Sequence, residues 1–449
     1  IPSTFRSPLR AGLGICALLL LTAFVAQAAA PKKLLVVTVT KGFRHSSIPT
    51  AERVLAGIAE LSGDFTVDFA RNDAELGEKM SLEALKGYDG VIFANTTGML
   101  PLPDRDGFLD WIRSGKAFIG MHSATDTFRE FPGYVEMIGG EFRSHGAQVA
   151  VEALNESPEH PATRHLGPAY QVYDEIYLLN NYHRDRVHLL LTLDKEPNKK
   201  VPGHYPIAWS KLVDKGRLFY TSLGHREDVW TSAPYQAHIL GGIRWALGLE
   251  RGDAKPQELR VELERAERRE GFRPLFNGVN LEGWRLRNPD GHPSWSAQNG
   301  MLVNEIPEDG RGTDLVTEEK FTDFTIRCEY QVPERSNSGL YLRGRYEIQI
   351  LEDFGRDRPE MGSNGAIYNV KPPSIFVSRR PGEWQEVQAT LRGNRVTVFL
   401  NGVKIHDNVE VPRPTGGELD TNVGEPGPIM IQGDHGAVAV RNIRIKPLR

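Results

Sequence analysis

The chain has 449 residues, a length that predicts two or three domains rather than one core. Its 54 Lys and Arg residues nearly balance 58 Asp and Glu residues, and the formal net charge of −4 comes without long blocks of one sign. This balance gives no indication of nucleic acid or an anionic membrane surface as a partner. The 45 glycines and 29 prolines predict many turns, which favours sheets for at least half of the chain.

Residues 1–30 have the pattern of a secretory signal peptide. Arg6 and Arg10 precede an apolar segment shorter than the roughly 20 residues of a membrane-spanning helix, and Ala28-Ala29-Ala30 supply a small-residue exit. An uncleaved membrane anchor is the alternative. The sequence therefore predicts a periplasmic or secreted protein with no membrane contact after cleavage. Cys328 is the single cysteine outside this segment, so no internal disulfide is expected.

Strand and helix patterns alternate over residues 31–250, which predicts an α/β domain with a mostly parallel sheet. Its predicted strands are 34–40, 65–70, 88–95, a central one ending at Gly120, and 217–222. Its predicted helices are 49–61, 108–112 and 234–249.

Three histidines directly follow the carboxyl ends of three predicted strands: His45, His122 and His225. Ligands bind at these ends in open α/β sheets, so we expect the three side chains to meet in one crevice. The apex of the elbow after the central strand is His122, which suits metal ligation, general base catalysis or a sugar hydroxyl better than acyl transfer. For each histidine alone, a structural role that bonds loop backbone is the alternative.

Five ordered motifs in this part of the chain resemble the trehalose-utilisation (ThuA-like) family. The motifs lie at 41–48, 120–124, 139–145, 174–177 and 216–225. The resemblance implies a fold similar to that of class I glutamine amidotransferases. The elbow lacks the cysteine of those enzymes, so glutaminase chemistry is not expected.

The histidines and carboxylates of these motifs supply enough nitrogen and oxygen donors for a divalent metal site or a sugar-polyol cleft. Their spacing is not that of a compact metal motif. The candidate metal ligands are His122, His145 and His225. His122 is also a candidate catalytic residue, and the candidate substrate contacts are His45 and Glu175, with Asp174 as an alternative carboxylate. No nicotinamide cofactor is expected, because no G-x-G-x-x-G motif follows the first strand.

Residues 251–270 are strongly charged with almost no apolar face, which predicts an exposed helix or spacer between two domains. Over residues 271–449 the hydrophobic period changes to two, and hairpin-type pairs such as Asn401-Gly402 recur. This part is therefore predicted to be all-β, an antiparallel sandwich of jelly-roll type without a helix of ordinary length.

Alternation along residues 340–350 predicts an apolar face and a polar face. The polar set is Tyr341, Arg343, Glu347 and Gln349, and Gln432 and His435 of another strand-like segment are candidates to face it. Such a row suits a sugar, because its donors and acceptors match vicinal hydroxyls and its carboxylate and imidazole can transfer protons. A solvated sheet face with charge pairs is the alternative.

Six further motifs resemble the 3-keto-disaccharide hydrolase domain family. They lie at 337–344, 346–351, 365–368, 382–384, 401–402 and 441–446. The resemblance implies a concanavalin-like jelly roll and cleavage of glycosides whose sugar is oxidised at C3.

A 3-keto group acidifies the proton at C2, so one general base can remove it and the aglycone can leave from C1, with hydration afterwards. Glu347 or His435 is the expected base. Arg343 or a bound divalent cation is expected to hold the enolate oxygen, and Gln349 to orient the sugar. Tyr341 and Gln432 complete the expected sugar contacts.

The sequence thus predicts an exported protein of carbohydrate catabolism that acts as a hydrolase or lyase on an oligosaccharide or glycoside. A separate sugar 3-oxidoreductase is expected upstream. In the alternative, the α/β domain is the catalytic unit and the sandwich is a carbohydrate-binding module. A third interpretation is a non-catalytic surface interaction protein.

Overall fold

The computed structural model of the chain describes residues 30–259, 263–306 and 312–448. The predicted signal peptide lies outside the described residues apart from Ala30. Within these described ranges, no helix is both long enough and apolar enough to cross a lipid bilayer.

A nine-stranded sheet forms the centre of the N-terminal α/β domain, and a two-stranded ribbon lies beside it. The strands are β1 (Lys32–Val37), β2 (Phe65–Ala70), β3 (Gly90–Ala94), β4 (Ala117–Met121), β5 (Glu141–His145), β6 (Val149–Asn155), β7 (Ala169–Asp174), β8 (Tyr177–Asn180), β9 (His188–Lys195), β10 (Pro202–Val213) and β11 (Gly216–Thr221). The large sheet has the order β2-β1-β3-β4-β11-β10-β9-β6-β7, and β5 pairs with β8.

The helices of this domain begin and end where the local sequence favours it. They are α1 (Ile48–Ser62), α2 (Asp73–Lys79), α3 (Leu82–Leu85), α4 (Arg105–Arg113), α5 (Pro132–Ile138), α6 (Glu227–Thr231) and α7 (Ala233–Ala246). Asp104 caps α4 by accepting the backbone N–H of Gly107. Helix α1 has a proline in its first turn and ends at Gly63, whose φ of 67° is a left-handed conformation open to glycine.

The large sheet is parallel in one half only. Strands β2, β1, β3, β4 and β11 pair in parallel, whereas the pairs from β11 through β10, β9 and β6 to β7 are antiparallel. The prediction of a mostly parallel sheet therefore holds for the first half. It fails for the second because residues 196–201 between β9 and β10 are too few for a crossover helix and form a hairpin connection instead.

Three connections leave the same edge of the parallel half. Residues 38–47 follow β1, a 3₁₀ turn over His122–Asp126 follows β4, and residues 222–226 follow β11. Because carboxyl ends of parallel strands meet at one edge of a sheet, these connections lie side by side.

Two antiparallel sheets make up the C-terminal domain. The strands are β12 (Arg273–Pro274), β13 (Trp284–Leu286), β14 (Trp295–Gln298), β15 (Met301–Asn304), β16 (Leu315–Phe321), β17 (Phe324–Gln331), β18 (Asn337–Leu342), β19 (Tyr346–Leu351), β20 (Gln385–Arg392), β21 (Arg395–Leu400), β22 (Val403–Glu410), β23 (Gly427–Ile431) and β24 (Val438–Pro447). One sheet has the order β14-β15-β24-β17-β20-β21-β22 with β12 on β24, and the other has the order β13-β16-β23-β18-β19. Among the described residues from 272 to 448 there is no helix, as predicted.

A single apolar core joins the two sheets of this sandwich. It takes Ile326 and Tyr330 from β17 and Leu340 and Leu342 from β18, together with Ile348 from β19. The even-numbered residues of the 340–350 segment therefore face the core, as their alternation predicts. The odd-numbered residues of β18 and β19 lie on the other face of the five-stranded sheet.

The charged segment between the domains contains helix α8 (Arg265–Glu270). Glu264 and Glu267 form a capping box at its start. Glu267 is buried and accepts from Arg444 at 2.7 Å and from Arg327 at 3.2 Å. The helix is thus mostly exposed, as predicted, but it is docked on the sandwich through this carboxylate rather than acting as a free spacer.

Direct contacts join the α/β domain to the sandwich. Trp384 donates its indole N–H to Asp194 at 2.6 Å, and Arg184 donates to the side-chain oxygen of Asn299 at 3.1 Å. A cleft of about 970 Å³ also runs between the domains. Its lining includes Arg143, His145 and Tyr177 of the α/β domain and Gln298, Glu305 and Ala437 of the sandwich.

Candidate functional sites

The three connections at the edge of the parallel strands bring His45, His122 and His225 together. Their ring centroids lie 4.7 Å apart for His45 and His122, 5.2 Å for His45 and His225, and 5.3 Å for His122 and His225. His45 and His122 are buried, and His225 is partly exposed. The arrangement forms one compact imidazole cluster.

Glu175, which follows β7, joins this cluster from the antiparallel half of the sheet. Its Oε1 atom lies 3.3 Å from His225 Nδ1 and 3.7 Å from His122 Nε2. Its Oε2 atom lies 3.1 Å from Nδ1 of His145, at the end of β5, so His145 contacts the far side of the carboxylate. We call His45, His122, His225 and Glu175 the His-Glu cluster. The donor atoms of these four residues all lie within 4.8 Å of one another.

The hydrogen bonds of His122 fix the direction of its free nitrogen. Its Nδ1 atom lies 2.8 Å from the carbonyl oxygen of Ser222. Since a carbonyl only accepts, Nδ1 carries the proton and the lone pair of Nε2 points toward His45 Nε2, 3.1 Å away. A histidine anchored in this way has the orientation of a metal ligand.

Burial keeps two members of the cluster neutral. Desolvation lowers the pKa of His45 to about 4 and holds the pKa of His122 well below its usual value, with the neighbouring histidines acting in the same direction. The nearby Glu175 carboxylate instead raises the pKa of His225. The cluster therefore presents two neutral imidazoles beside a paired imidazole and carboxylate.

The elbow that carries His122 is tightly packed. His122 has a φ of 47°, and its carbonyl accepts from the hydroxyl of Tyr220 at 2.8 Å. A Cβ atom at Gly120 would come within 3.0 Å of the Tyr220 ring and 3.3 Å of Ala124. Because Gly120 has no side chain, the Tyr220 ring can pack against it, and the Tyr220 hydroxyl can reach the His122 carbonyl.

The second candidate site is the outer face of the five-stranded sheet. The strand register places Arg285, Val316, Met430, Tyr341 and Glu347 in one row across it. Two residues further along each strand, on the same face, lie Arg287, Asp314, Gln432, Gly339 and Gln349. We call these two rows the polar face.

Glu347 is the most perturbed carboxyl group of the polar face. It is 3 % exposed and accepts from the Tyr341 hydroxyl at 2.9 Å. Burial, with smaller contributions from the charges of Asp314 and Asp434, raises its pKa to about 7. Gly339 makes room for it, because a Cβ atom there would lie 2.3 Å from Glu347 Oε1.

Two of the other predicted residues lie on the polar face. The Gln349 amide is buried and donates to Asn337 at 2.6 Å. Gln432 is half-buried, and its backbone N–H bonds Gly339.

The structure places Arg343 away from this row. It lies in the turn between β18 and β19 with a φ of 54°, and its guanidinium donates to Thr322 at 2.6 Å and Asp323 at 2.9 Å. The alternation rule fails for Arg343 because the strand ends at Leu342. His435 is exposed and pairs with Asp434. The negative charge of Asp434 contributes to the raised pKa of Glu347.

Sequence reasoning missed Arg287 and Asp314. Arg287 pairs with Asp314 at 3.0 Å, and the same carboxylate accepts the backbone N–H of Gly433 at 3.0 Å. Neither residue lies in a motif of the resemblance, and only the register of β13 with β16 places them beside Gln432. A lone aspartate just before β16 gave no signal of this.

Comparison with known families decides what the two halves are. Residues 33–246 match the sequence model of the trehalose utilisation family, ThuA, and residues 271–446 match that of the 3-keto-alpha-glucoside-1,2-lyase-like domain. We call the region that matches the first model the ThuA domain, and the region that matches the second the lyase-like domain. The His-Glu cluster belongs to the ThuA domain and the polar face to the lyase-like domain.

Individual relatives each match part of the chain. A 3-keto-disaccharide hydrolase of Bacteroides thetaiotaomicron is 31% identical over 150 residues, covering 26% of this chain and 52% of that protein. The chain thus spans about half the length of this curated relative. A solved structure from Bacteroides uniformis, provisionally named ThuA-like, is 24% identical with a TM-score of 0.42 and covers 49% of this chain and 93% of its own. Another from Parabacteroides distasonis, provisionally named a glycosyl hydrolase, is 21% identical with a TM-score of 0.37 and covers 42% and 99%.

Proposed function

We propose that the lyase-like domain cleaves glycosides whose sugar carries a keto group at C3, with Glu347 as the general base at C2. The observation that carries this is the buried Glu347 carboxyl with its pKa raised to about 7. A base is most effective when its pKa lies near the working pH, because it can then both take a proton and return it. The family description and the name of the Bacteroides relative support the substrate class.

The proposed reaction needs one base and no nucleophile. Glu347 takes the proton from C2, and the electrons of that bond form an enolate with the C3 carbonyl. The enolate re-forms the carbonyl as it expels the aglycone from C1, which leaves a C1–C2 double bond, and the departing alkoxide takes a proton from water. The hydroxide left from that water then adds at C1 while Glu347, whose proton exchanges with solvent between the two steps, delivers a proton to C2, so the net reaction is hydrolysis. Tyr341 holds the Glu347 carboxylate through its hydroxyl. Since Arg343 is engaged by Asp323, the group that stabilises the enolate oxygen would be one other than Arg343.

The setting of this reaction is part of the proposal. The pattern of residues 1–30 supports export to the periplasm or beyond. A separate sugar 3-oxidoreductase would supply the keto substrate, because no nicotinamide motif follows β1. The elbow and the parallel half-sheet support a glutamine amidotransferase-like fold for the ThuA domain, and the two-sheet sandwich supports a concanavalin-like jelly roll for the other.

A second candidate function assigns catalysis to the ThuA domain and sugar binding to the lyase-like domain. The His-Glu cluster favours it, since buried neutral imidazoles beside a carboxylate can serve a metal ion or act as a general base.

The deciding experiment compares the full chain with its Glu347→Gln variant on a 3-keto-glucoside and on the unoxidised parent. We expect release of the aglycone from the keto compound only, and a loss of about 1,000-fold in kcat/KM for the variant. In heavy water the released sugar should carry deuterium at C2. Glu318→Gln, an exposed residue of β16, is the matched control and should keep full activity.

Two outcomes would contradict the assignment of the base. Full activity in Glu347→Gln would exclude this residue. Cleavage without deuterium at C2 would exclude elimination. If a His225→Ala variant instead lost cleavage while Glu347→Gln kept it, the second candidate function would replace the first.

A further inference from the structure

We infer that the His-Glu cluster of the ThuA domain is a binding site for one divalent first-row transition-metal ion, held by His45, His122, His225 and Glu175. This site is inferred from the geometry of the cluster and does not depend on the reaction proposed for the other domain. His145, a metal candidate by sequence, takes the position of a supporting residue behind Glu175.

The spacing of the donor atoms matches a coordination sphere. Four ligands about 2.1 Å from a tetrahedral ion lie about 3.4 Å from one another. The separations here are 3.1 Å between the Nε2 atoms of His45 and His122, 3.3 Å between His225 Nδ1 and Glu175 Oε1, and 3.7 Å between His122 Nε2 and Glu175 Oε1. Three of the six donor-atom pairs therefore lie close to this separation, and all four donor atoms lie within 4.8 Å of one another.

The donor atoms converge, but their hydrogen bonds to one another leave one of them unpaired. His225 Nδ1 is buried and makes no hydrogen bond, although Glu175 Oε1 lies 3.3 Å away. The lone pair of His122 Nε2 also faces a second imidazole nitrogen, because its Nδ1 proton is given to Ser222. Buried polar atoms rarely stay unpaired, and a cation held between these donor atoms would give His225 Nδ1 a partner.

Supporting residues orient the ligands as they do in metal sites. The Ser222 carbonyl fixes His122, and His145 holds the second oxygen of Glu175 at 3.1 Å. Asp174, the residue before Glu175, accepts the backbone N–H of Gly224 at 2.7 Å, which ties the loop of His225 to the strand end that carries the carboxylate. Side chains that ligate a metal normally carry anchors of this kind.

The donor set selects the class of ion. Three imidazoles and one carboxylate suit zinc, cobalt, nickel or iron(II), whereas magnesium and calcium prefer an all-oxygen sphere. The ion would lie at the carboxyl edge of β1, β4 and β11, with the partly exposed His225 on its open side.

The test is metal binding by the full chain after chelation and dialysis. Titration calorimetry with Zn²⁺ should give one equivalent per chain, and Co²⁺ should give the strong visible absorption of a four-coordinate site. Glu175→Gln and His225→Ala should each weaken Zn²⁺ binding by at least about 100-fold. His183→Ala, an exposed histidine of the same domain, is the control and should bind like the wild type.

A second measurement separates lost ligands from lost folding. Zn²⁺ should raise the unfolding temperature of the wild type and of His183→Ala, because it binds only the folded chain. It should not do so for Glu175→Gln, which is nearly isosteric and should unfold cooperatively without metal. Substoichiometric binding in the wild type, or equal affinity in all variants, would overturn the inference and leave the cluster as a hydrogen-bonded histidine network.

Discussion

The two candidate sites are built in different ways. The His-Glu cluster is assembled from loops that leave one edge of a sheet, so each side chain comes from a different turn. The residues of the polar face lie on neighbouring strands or directly beside their ends, so each side chain is placed by strand register. The first kind of site is recognisable from where strands end, whereas the second is visible only when the pairing of the strands is known.

A matched pair of glycine substitutions tests this difference most strongly. Gly339→Ala should lower cleavage of a 3-keto-glucoside by about 1,000-fold, because the new Cβ would lie 2.3 Å from Glu347 Oε1 and displace the carboxylate. Gly120→Ala, at the His122 elbow, should keep cleavage and weaken Zn²⁺ binding instead. Loss of cleavage in Gly120→Ala, with its fold intact by circular dichroism, would show that the two sites are not separate.

The ionisation of Glu347 gives a pH-dependent stability effect. Its pKa is about 7 in the folded chain and near 4.5 when exposed, so between these pH values the folded chain binds more protons and stability falls as pH rises. Glu347→Gln lacks this proton. Relative to the wild type, its free energy of unfolding should therefore rise between about pH 5 and about pH 8, by up to about 3 kcal/mol. Denaturant titrations measure this, and the exposed Glu318→Gln should show no trend.

The Tyr341 hydroxyl should matter less than the carboxylate it holds. Its hydrogen bond lowers the pKa of Glu347, opposing the effect of burial. Tyr341→Phe should thus shift the pH profile of kcat/KM to higher pH and lower the rate at neutral pH by about 10-fold. Tyr346→Phe changes the core side of the same hairpin and should leave the profile in place. An unshifted profile in Tyr341→Phe would argue against Glu347 as the titrating base.

The smallest expected effect concerns the contact between the domains. Trp384→Phe removes the hydrogen bond to Asp194 and should lower the free energy of unfolding by about 1 kcal/mol. Cleavage of the 3-keto-glucoside and Zn²⁺ binding should both be retained. Trp111→Phe is the control, since the Trp111 indole N–H has no hydrogen-bond partner. Equal costs for the two variants would mean that the Trp384 bond does not stabilise the pair of domains.

Much of the fold follows from sequence periodicity. Strands after 34, 65, 88 and 117 were predictable because buried parallel strands are short apolar runs, and the sandwich was predictable from its period of two and its turns. The convergence of His45, His122 and His225 followed from the rule on strand ends. The antiparallel strands β6, β7, β9 and β10 were not predicted, because strands joined by loops rather than helices lack the strand–helix alternation that marked the others.

The details of each site depended on tertiary contacts. Glu175 reaches the histidines from the opposite half of the sheet, so its ligand-like position and the outer position of His145 could not be read from spacing. Arg287 and Asp314 join the polar face only through pairing of β13 with β16. Arg343 does not lie on the polar face, because β18 ends at Leu342 and the turn begins at the next residue.

The cleft between the domains changes how a solute meets this protein. A single small molecule inside about 970 Å³ is at a local concentration on the order of 1 M. Because His145 and Tyr177 line one wall and Glu305 and Ala437 the other, such a molecule samples groups of both domains within one encounter. If the two domains were separate proteins, each would have to be present at about molar concentration for the molecule to contact both as often.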